Sequence, residues 1–335
     1  MRGGAPALAR LGFNRRAPVR SARAPFQEWL HFCVHTPTHR LVLNYSQRDE
    51  PAGAALRRVI LIYGPDGVRG DVSRCADGGL RSGAFGLRFA SDRVSLRGGR
   101  IHLEVTAPAL GLALDVALEP VSEPSVTHNS RCGDAPPIHW VFVPHLRAHG
   151  AYTLDGVPAP VADAPAYHDH DWGHFGWGDD FSWTWIYAVP RAREDGWAAI
   201  AVQLMDRRRR RLRSQGVMLW RDHKLVRVWR DREVRFEAEH GPPERTLTVP
   251  GAAAMLVDGA ASAAPRALVV EVAADGERLR LAFERRGLAR IVVPDTVGDG
   301  VTVIHEADGE VSMRGHVRGQ SIDTTAVGMM EVLGV

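Results

Sequence analysis

The segment Leu110-Gly111-Leu112-Ala113-Leu114-Asp115-Val116-Ala117-Leu118 carries a large apolar residue at every second position, with small or charged residues between. Side chains two apart share a face of an extended strand, whereas a helix would scatter them around its circumference. The segment therefore reads as a half-buried strand. The same alternation recurs at Ile101/Leu103/Val105, Val226/Val228, Val234/Phe236/Ala238, Leu279/Leu281/Phe283 and Val301/Val303. Between such runs stand Asp155-Gly156, Asp275-Gly276 and Asp308-Gly309, dipeptides suited to two-residue hairpin turns because Gly accepts positive φ. Consecutive strands are thus expected to pair antiparallel. Helical periodicity is confined to the segments around Pro250 to Arg266 and Gly287 to Val293, which have room for short helices at most. The expected class is all-β, with closed or partly closed barrels or sandwiches protecting the sheet edges.

Composition bounds the function. The 335 residues include 42 Lys plus Arg against 39 Asp plus Glu, with 45% hydrophobic content, as expected of a globular chain with one large domain or two smaller ones. Six of the basic residues, Arg2, Arg10, Arg15, Arg16, Arg20 and Arg23, precede the first acidic residue, Glu28. Without them the balance is 36 against 39, so the body lacks the basic excess of a nucleic-acid-binding domain. Residues 1–25 read as a disordered Arg-rich head without the apolar core of a secretory signal. No apolar run reaches the length of a membrane-spanning helix. A cytoplasmic location is expected. Cys33, Cys75 and Cys132 form no CxxC pair, and each reads as a small buried hydrophobe. Lys224 is the single lysine and sits in a polar turn, which leaves Schiff-base chemistry unsupported.

Pro158, Pro160 and Pro165 cannot donate to a central ladder and mark a division of the chain. The reading is an N-terminal domain over 26–165 and a C-terminal domain over 166–335. No repeat of a solenoid or propeller kind is present.

The densest chemical signal follows that division: Tyr167-His168-Asp169-His170-Asp171-Trp172-Gly173-His174. In an extended conformation His168, His170 and Trp172 share one face, and Tyr167, Asp169 and Asp171 the other. Carboxylates near the imidazoles would hold them in one tautomer. His168, His170 and His174 also have the look of a metal set, with Asp179, Asp180 and His223 available but in no recognisable ligand pattern. Downstream, Phe181, Trp183, Trp185 and Tyr187 alternate with smaller residues and place four aromatic rings on one strand face. Such a stripe suits a core, and equally the wall of a wide hydrophobic pocket whose π faces stabilise a cation. Arg207 to Arg211 with Arg213 reads as a hairpin loop, either a solvated turn or a contact for anionic lipid headgroups. No phosphate-binding loop, GxSxG or kinase pattern occurs, so nucleotide chemistry is not indicated.

Tyr167-His168-Asp169-His170-Asp171-Trp172-Gly173 resembles the YHDHNWG motif of the carotenoid 1,2-hydratase (hydroxyneurosporene synthase) family, with Asp171 in place of Asn. Gln27-Glu28-Trp29-Leu30-His31-Phe32 resembles the EWWY segment that opens the related lipocalin-like domains, with Leu30 and His31 in place of aromatics. The resemblance spans roughly residues 26–335. It implies two consecutive lipocalin-like antiparallel β-barrels packed together, with a ligand cavity near their junction. Proteins of this group act on large apolar isoprenoid or polyketide-like molecules as hydratases, cyclases or pericyclases. Asp206 is the residue placed against the family's later acidic position.

The expected activity is that of a hydro-lyase resembling carotenoid 1,2-hydratase, in carotenoid or other isoprenoid biosynthesis. A proton is added to a C=C bond, and water or an internal alkene captures the resulting cation. The expected catalytic residues are His168, Asp169, His170, Asp171 and Trp172. Trp29, Tyr167, Trp183, Trp185 and Tyr187 are the expected substrate-binding residues. Neither a cofactor nor a metal is required for that chemistry. The expected partner is an apolar isoprenoid or polyene, with peripheral membrane contact permitted by the Arg-rich segments and nucleic acid not expected. A pericyclase or cyclase acting on a polyene, and a non-catalytic carrier of an apolar ligand, are the alternatives.

Overall fold

A computed structural model describes residues 25–48, 55–75, 79–80, 86–128, 138–242, 246–257, 264–296 and 299–334. The Arg-rich head before residue 25 and Cys132 lie outside them. The chain forms two compact units, which part between Phe175 and Gly176. That boundary lies ten residues beyond the division drawn from the prolines, because the strand carrying them continues through position 165 into the His/Asp segment.

Unit 1 comprises β1 (Phe26–His35), β2 (Arg40–Arg48), β3 (Ala55–Gly64), β4 (Gly67–Cys75), β5 (Gly79–Leu80), β6 (Gly86–Phe89), β7 (Asp92–Arg97), β8 (Arg100–Ala107), β9 (Leu112–Pro120), β10 (Ser125–His128), β11 (His139–Leu154) and β12 (Val157–His174). They form one sheet in the order β4-β3-β2-β1-β12-β11-β9-β8-β7-β6-β5, with β10 beside β11. Alternation decides which face is inward: Leu112, Leu114, Val116 and Leu118 are buried while Ala113 and Asp115 are exposed. Leu110 itself belongs to a 3-10 turn, so the strand begins two residues later than the alternation indicates. Pro158, Pro160 and Pro165 fall where β12 pairs with β11 alone, since β1 joins only from Ala166 onward. They therefore sit on an edge, where a missing N–H leaves no gap in the ladder.

The curved sheet of unit 1 is tied across its interior. Asp92, at the start of β7, accepts from Tyr45 of β2 at 2.8 Å, from Arg58 of β3 at 2.7 Å and from the backbone N of Thr106 at 2.9 Å. Five strands separate β2 from β7 in the sheet order, so the Tyr45 and Arg58 bonds span the barrel and do not follow its ladder, while Thr106 lies on the adjoining β8.

Unit 2 comprises β13 (Ser182–Pro190), β14 (Trp197–Met205), β15 (Leu212–Arg221), β16 (Lys224–Arg230), β17 (Val234–Glu239), β18 (Leu247–Val249), β19 (Ala267–Ala274), β20 (Glu277–Pro294), β21 (Val301–Val317), β22 (Gln320–Gly334) and the short helix α1 (Ala254–Val257). The sheet order is β16-β15-β14-β13-β22-β21-β20-β19-β17. Its first and last strands are linked by the three residues Asp231–Glu233, which brings the two sheet ends together. Trp229 of β16 accordingly packs in one apolar cluster with Leu268, Val270 and Val272 of β19.

Asp155-Gly156 and Asp275-Gly276 have positive φ at both residues and form the β11–β12 and β19–β20 hairpins. Asp308-Gly309 does not turn; it lies inside β21, and the hairpin there is Arg318-Gly319. Gly309 is required for a different reason, since a Cβ at that position would lie 2.3 Å from the Glu284 carbonyl oxygen. One neighbour pair, β18 with β20, is parallel, against the expectation of antiparallel pairing. Residues 287–293 extend β20 and form no helix.

Candidate functional site

The His/Asp segment is a central stretch of β12, flanked by β1 and β11, and every residue from Tyr167 to Trp172 is buried. Residues paired directly across an antiparallel ladder share a face. Leu30 and Val141 pair with His170, and Phe32 and Val143 pair with His168. These four apolar partners, together with Trp172, belong to the core cluster of unit 1, so His168, His170 and Trp172 point inward. Tyr167, Asp169 and Asp171 occupy the opposite face with Cys33, His31 and Trp29 of β1.

On the inward face His170 Nε2 lies 2.7 Å from Glu28 Oε1, and both side chains are fully buried. A contact this short needs a hydrogen between the two atoms, so His170 and Glu28 are hydrogen-bonded to each other. Trp172 packs beside it with ring centroids 4.9 Å apart, and His139 stacks on Trp172 at 5.3 Å. His139 and His174 are half-buried and mark where this face meets solvent. Deeper in, His168 stacks on Phe32 at 4.3 Å and its Nδ1 lies 2.9 Å from the backbone oxygen of His31. A carbonyl only accepts, so Nδ1 carries the hydrogen and Nε2 the lone pair. Burial holds the His168 pKa down at about 3, and the ring is neutral at physiological pH. His168 is therefore an acceptor, and an imidazolium donor at this position is ruled out near neutrality.

On the opposite face the Tyr167 hydroxyl donates to Asp169 at 2.8 Å. His31 Nε2 lies 3.1 Å from Cys33 Sγ, and burial lowers the His31 pKa to about 4. Trp29 packs edge-on against Phe175 at 5.5 Å, and Asp171 is buried opposite Trp140. The expected carboxylate–imidazole pairing within the segment is thus replaced. The partner of His170 is Glu28 from β1, and the aspartates face away from the histidines because adjacent strand residues point to opposite sides.

Trp183, Trp185 and Tyr187 lie in unit 2 on one face of β13, as their alternation requires. That face is not the barrel core, which takes Ile186 and Ala188 instead. The aromatic rings are nonetheless buried, and they meet a carboxyl cluster that sequence reasoning did not identify. Trp185 pairs with Glu331, Glu331 pairs with Glu306, and the Trp183 indole N–H donates to Glu331. Burial raises the Glu331 pKa, while hydrogen bonds from Glu306 and Trp183 act in the opposite direction. Alternation of Trp183 and Trp185 signalled the face, but nothing local in sequence joins it to residue 331.

His168, His170 and His174 share a face yet engage different partners, and among the described residues no three His, Cys, Asp or Glu side chains are gathered as metal ligands. Asp206 serves the β14–β15 turn, its carboxylate accepting from the backbone N–H groups of Arg210 and Arg211. No helix among the described residues is long and apolar enough to cross a membrane.

No family model and no curated protein matches the sequence. Solved structures do match along most of the chain. A candidate AttH of Nitrosomonas europaea is 17% identical over 93% of this chain and 92% of its own, with a TM-score of 0.64. Kievitone hydratase of Nectria haematococca is 10% identical over 96% and 97%, with a TM-score of 0.60. CghA in complex with Sch210972 is 14% identical over 93% and 89%, also with a TM-score of 0.60. At such identities the likeness establishes the fold: this chain is an all-β protein of two consecutive lipocalin-like antiparallel barrels.

Proposed function

We propose that the chain is a hydratase-type enzyme that protonates a C=C bond of a large apolar substrate, in the manner of a carotenoid 1,2-hydratase. The observation that carries this reading is the fully buried Glu28–His170 pair beside Trp172. An alkene is a weak base, so its protonation needs an acid that is positioned and shielded from water. The pair gives its proton to the less substituted alkene carbon, the π electrons form the new C–H bond, and a tertiary cation develops at the other carbon. The indole of Trp172 stabilises that cation through its π face. Water oriented by the neutral His168 adds its oxygen to the cation, and the proton it loses returns to the pair. Tyr167, Asp169 and Asp171 on the other face of β12, with Trp29 beside them on β1, complete the proposed set within unit 1. A hydratase among proteins of this fold supports the reading.

The test is incubation of the purified protein with acyclic isoprenoids and polyenes in heavy water. One deuterium per product, together with loss of turnover in Glu28→Gln and His170→Asn, is expected. Turnover that persists in both variants without deuterium uptake would replace acid catalysis by a shape-driven pericyclic or cyclisation reaction. Binding without turnover would make the protein a carrier.

A further inference from the structure

The Arg-rich turn between β14 and β15 divides into two sets of side chains. Arg207, Arg209 and Arg213 face the protein. Arg207 bonds Asp295 at 2.6 Å and Thr302 at 3.2 Å, Arg209 donates to the Trp183 carbonyl at 3.0 Å, and Arg213 bonds Asp180 at 2.7 Å. The Asp206 carboxylate fixes the turn through the backbone N–H groups of Arg210 and Arg211, at 2.6 and 3.1 Å. Asp180, Asp206 and Asp295 are thereby committed. Arg208, Arg210 and Arg211 are exposed, and next to them Leu212 is 44% exposed.

A second feature lies at the same end of unit 2. The helix α1 anchors itself by Val257, which packs with Val292 and Val303, and Ala253 of the preceding 3-10 turn rests on the same cluster together with Val301. Met255 and Leu256 point the other way, 80% and 63% exposed. The Arg207 guanidinium reaches the Val301 carbonyl and the Thr302 hydroxyl, so the turn and α1 both abut the first residues of β21. Asp299 is the exposed carboxylate on that neighbouring turn.

We infer that this end of unit 2 is a membrane-docking surface for anionic phospholipid, with Arg208, Arg210 and Arg211 against the headgroups and Met255, Leu256 and Leu212 inserted among the upper acyl carbons. Three guanidiniums on a braced turn match headgroup phosphates, and water-exposed Met and Leu side chains gain by leaving water at the bilayer boundary. A nucleic acid would use the charges but has no place for the apolar side chains. The inference is independent of the catalytic reading, and a bilayer is also where large apolar substrates accumulate.

Flotation of the full chain with phosphatidylcholine vesicles, with and without phosphatidylglycerol, tests it. The wild type is expected to bind only the anionic vesicles. Arg208→Gln/Arg210→Gln/Arg211→Gln should weaken binding by about 100-fold, at roughly five-fold for each basic residue near the surface. Met255→Ser/Leu256→Ser should weaken it with the charges intact. All five side chains are exposed, and an unchanged circular dichroism spectrum verifies that each variant is folded. Absence of wild-type binding overturns the inference. Undiminished binding of the Arg variant does so as well, placing the contact elsewhere, for example in residues 2–23. Loss in the Arg variant alone would indicate a generic polyanion surface and would equally overturn it.

Discussion

His170 and Glu28 are 142 residues apart in sequence, yet their side chains meet at 2.7 Å inside the first barrel, where β12 and β1 run side by side. Neither side chain touches solvent. Each is therefore satisfied only by protein, and removing one leaves the other as a buried polar group without its partner.

Glu28→Ala and Glu28→Gln should consequently behave differently. Breaking a buried pair costs about 3–5 kcal/mol, so the alanine variant should lose that much in urea denaturation. The glutamine variant keeps a hydrogen-bonding group of the same shape and should lose far less stability. Its turnover, however, should fall at least about 100-fold, the contribution typical of a general acid. Equal stability of the two variants would show that the pair is not coupled as described.

The neutral histidines predict an acid sensitivity. His168 has a folded-state pKa of about 3 and His31 one of about 4, both lowered by burial from 6.5. The unfolded chain takes up protons below pH 6.5 that the folded chain refuses, so stability is complete above that pH and is lost as pH falls toward 3. At pH 5 His168 alone should account for about 2 kcal/mol of lost stability. His168→Asn keeps an N–H donor for the His31 carbonyl and cannot titrate. The stability curve of that variant should be flatter between pH 7 and 5, as measured by thermal unfolding at each pH.

Much of the fold was readable from local pattern. The alternation at Leu112 to Leu118 fixed which side chains go inward, and Asp155-Gly156 fixed a hairpin, because both depend on backbone geometry within a few residues. The site was readable only as far as the two faces of β12. That Glu28 partners His170, or that Glu306 meets Glu331, depends on which strands become neighbours, and no local period encodes such a choice. For the aromatic stripe, core and pocket wall stayed open in the sequence for the same reason. Alternation shows that Trp183, Trp185 and Tyr187 share a face, but a face becomes the core only through the strands folded over it, and here Ile186 and Ala188 fill that role.

The tie across the first barrel gives a third prediction. Asp92 is fully buried and accepts from Arg58, Tyr45 and the Thr106 amide at once. Asp92→Asn preserves the shape but removes the charge opposite Arg58, leaving a guanidinium that is 8% exposed with no buried counter-charge from this residue. A loss of about 3–5 kcal/mol is expected. Hydrogen exchange should then accelerate in β2, β3 and β7 together, because the tie joins β7 to β2 and β3, with which it shares no ladder. Acceleration confined to β7 would show that the bonds do not hold the barrel closed.

The Glu331 carboxyl should reveal its environment through the opposite pH dependence. Burial raises its pKa above the usual carboxylate value, against hydrogen bonds from Glu306 and Trp183. A carboxyl with a raised folded-state pKa contributes stability that is full below the unfolded value, near 4.5, and declines as pH rises through the folded one. Glu331→Gln has no charge to bury, and its amide oxygen still accepts from the Trp183 indole. The melting temperature of the variant relative to the wild type should therefore rise between pH 4 and pH 8. A difference that stays constant with pH would mean that Glu331 ionises as freely in the folded chain as in the unfolded one, and the carboxyl cluster would then be an ordinary solvated pair.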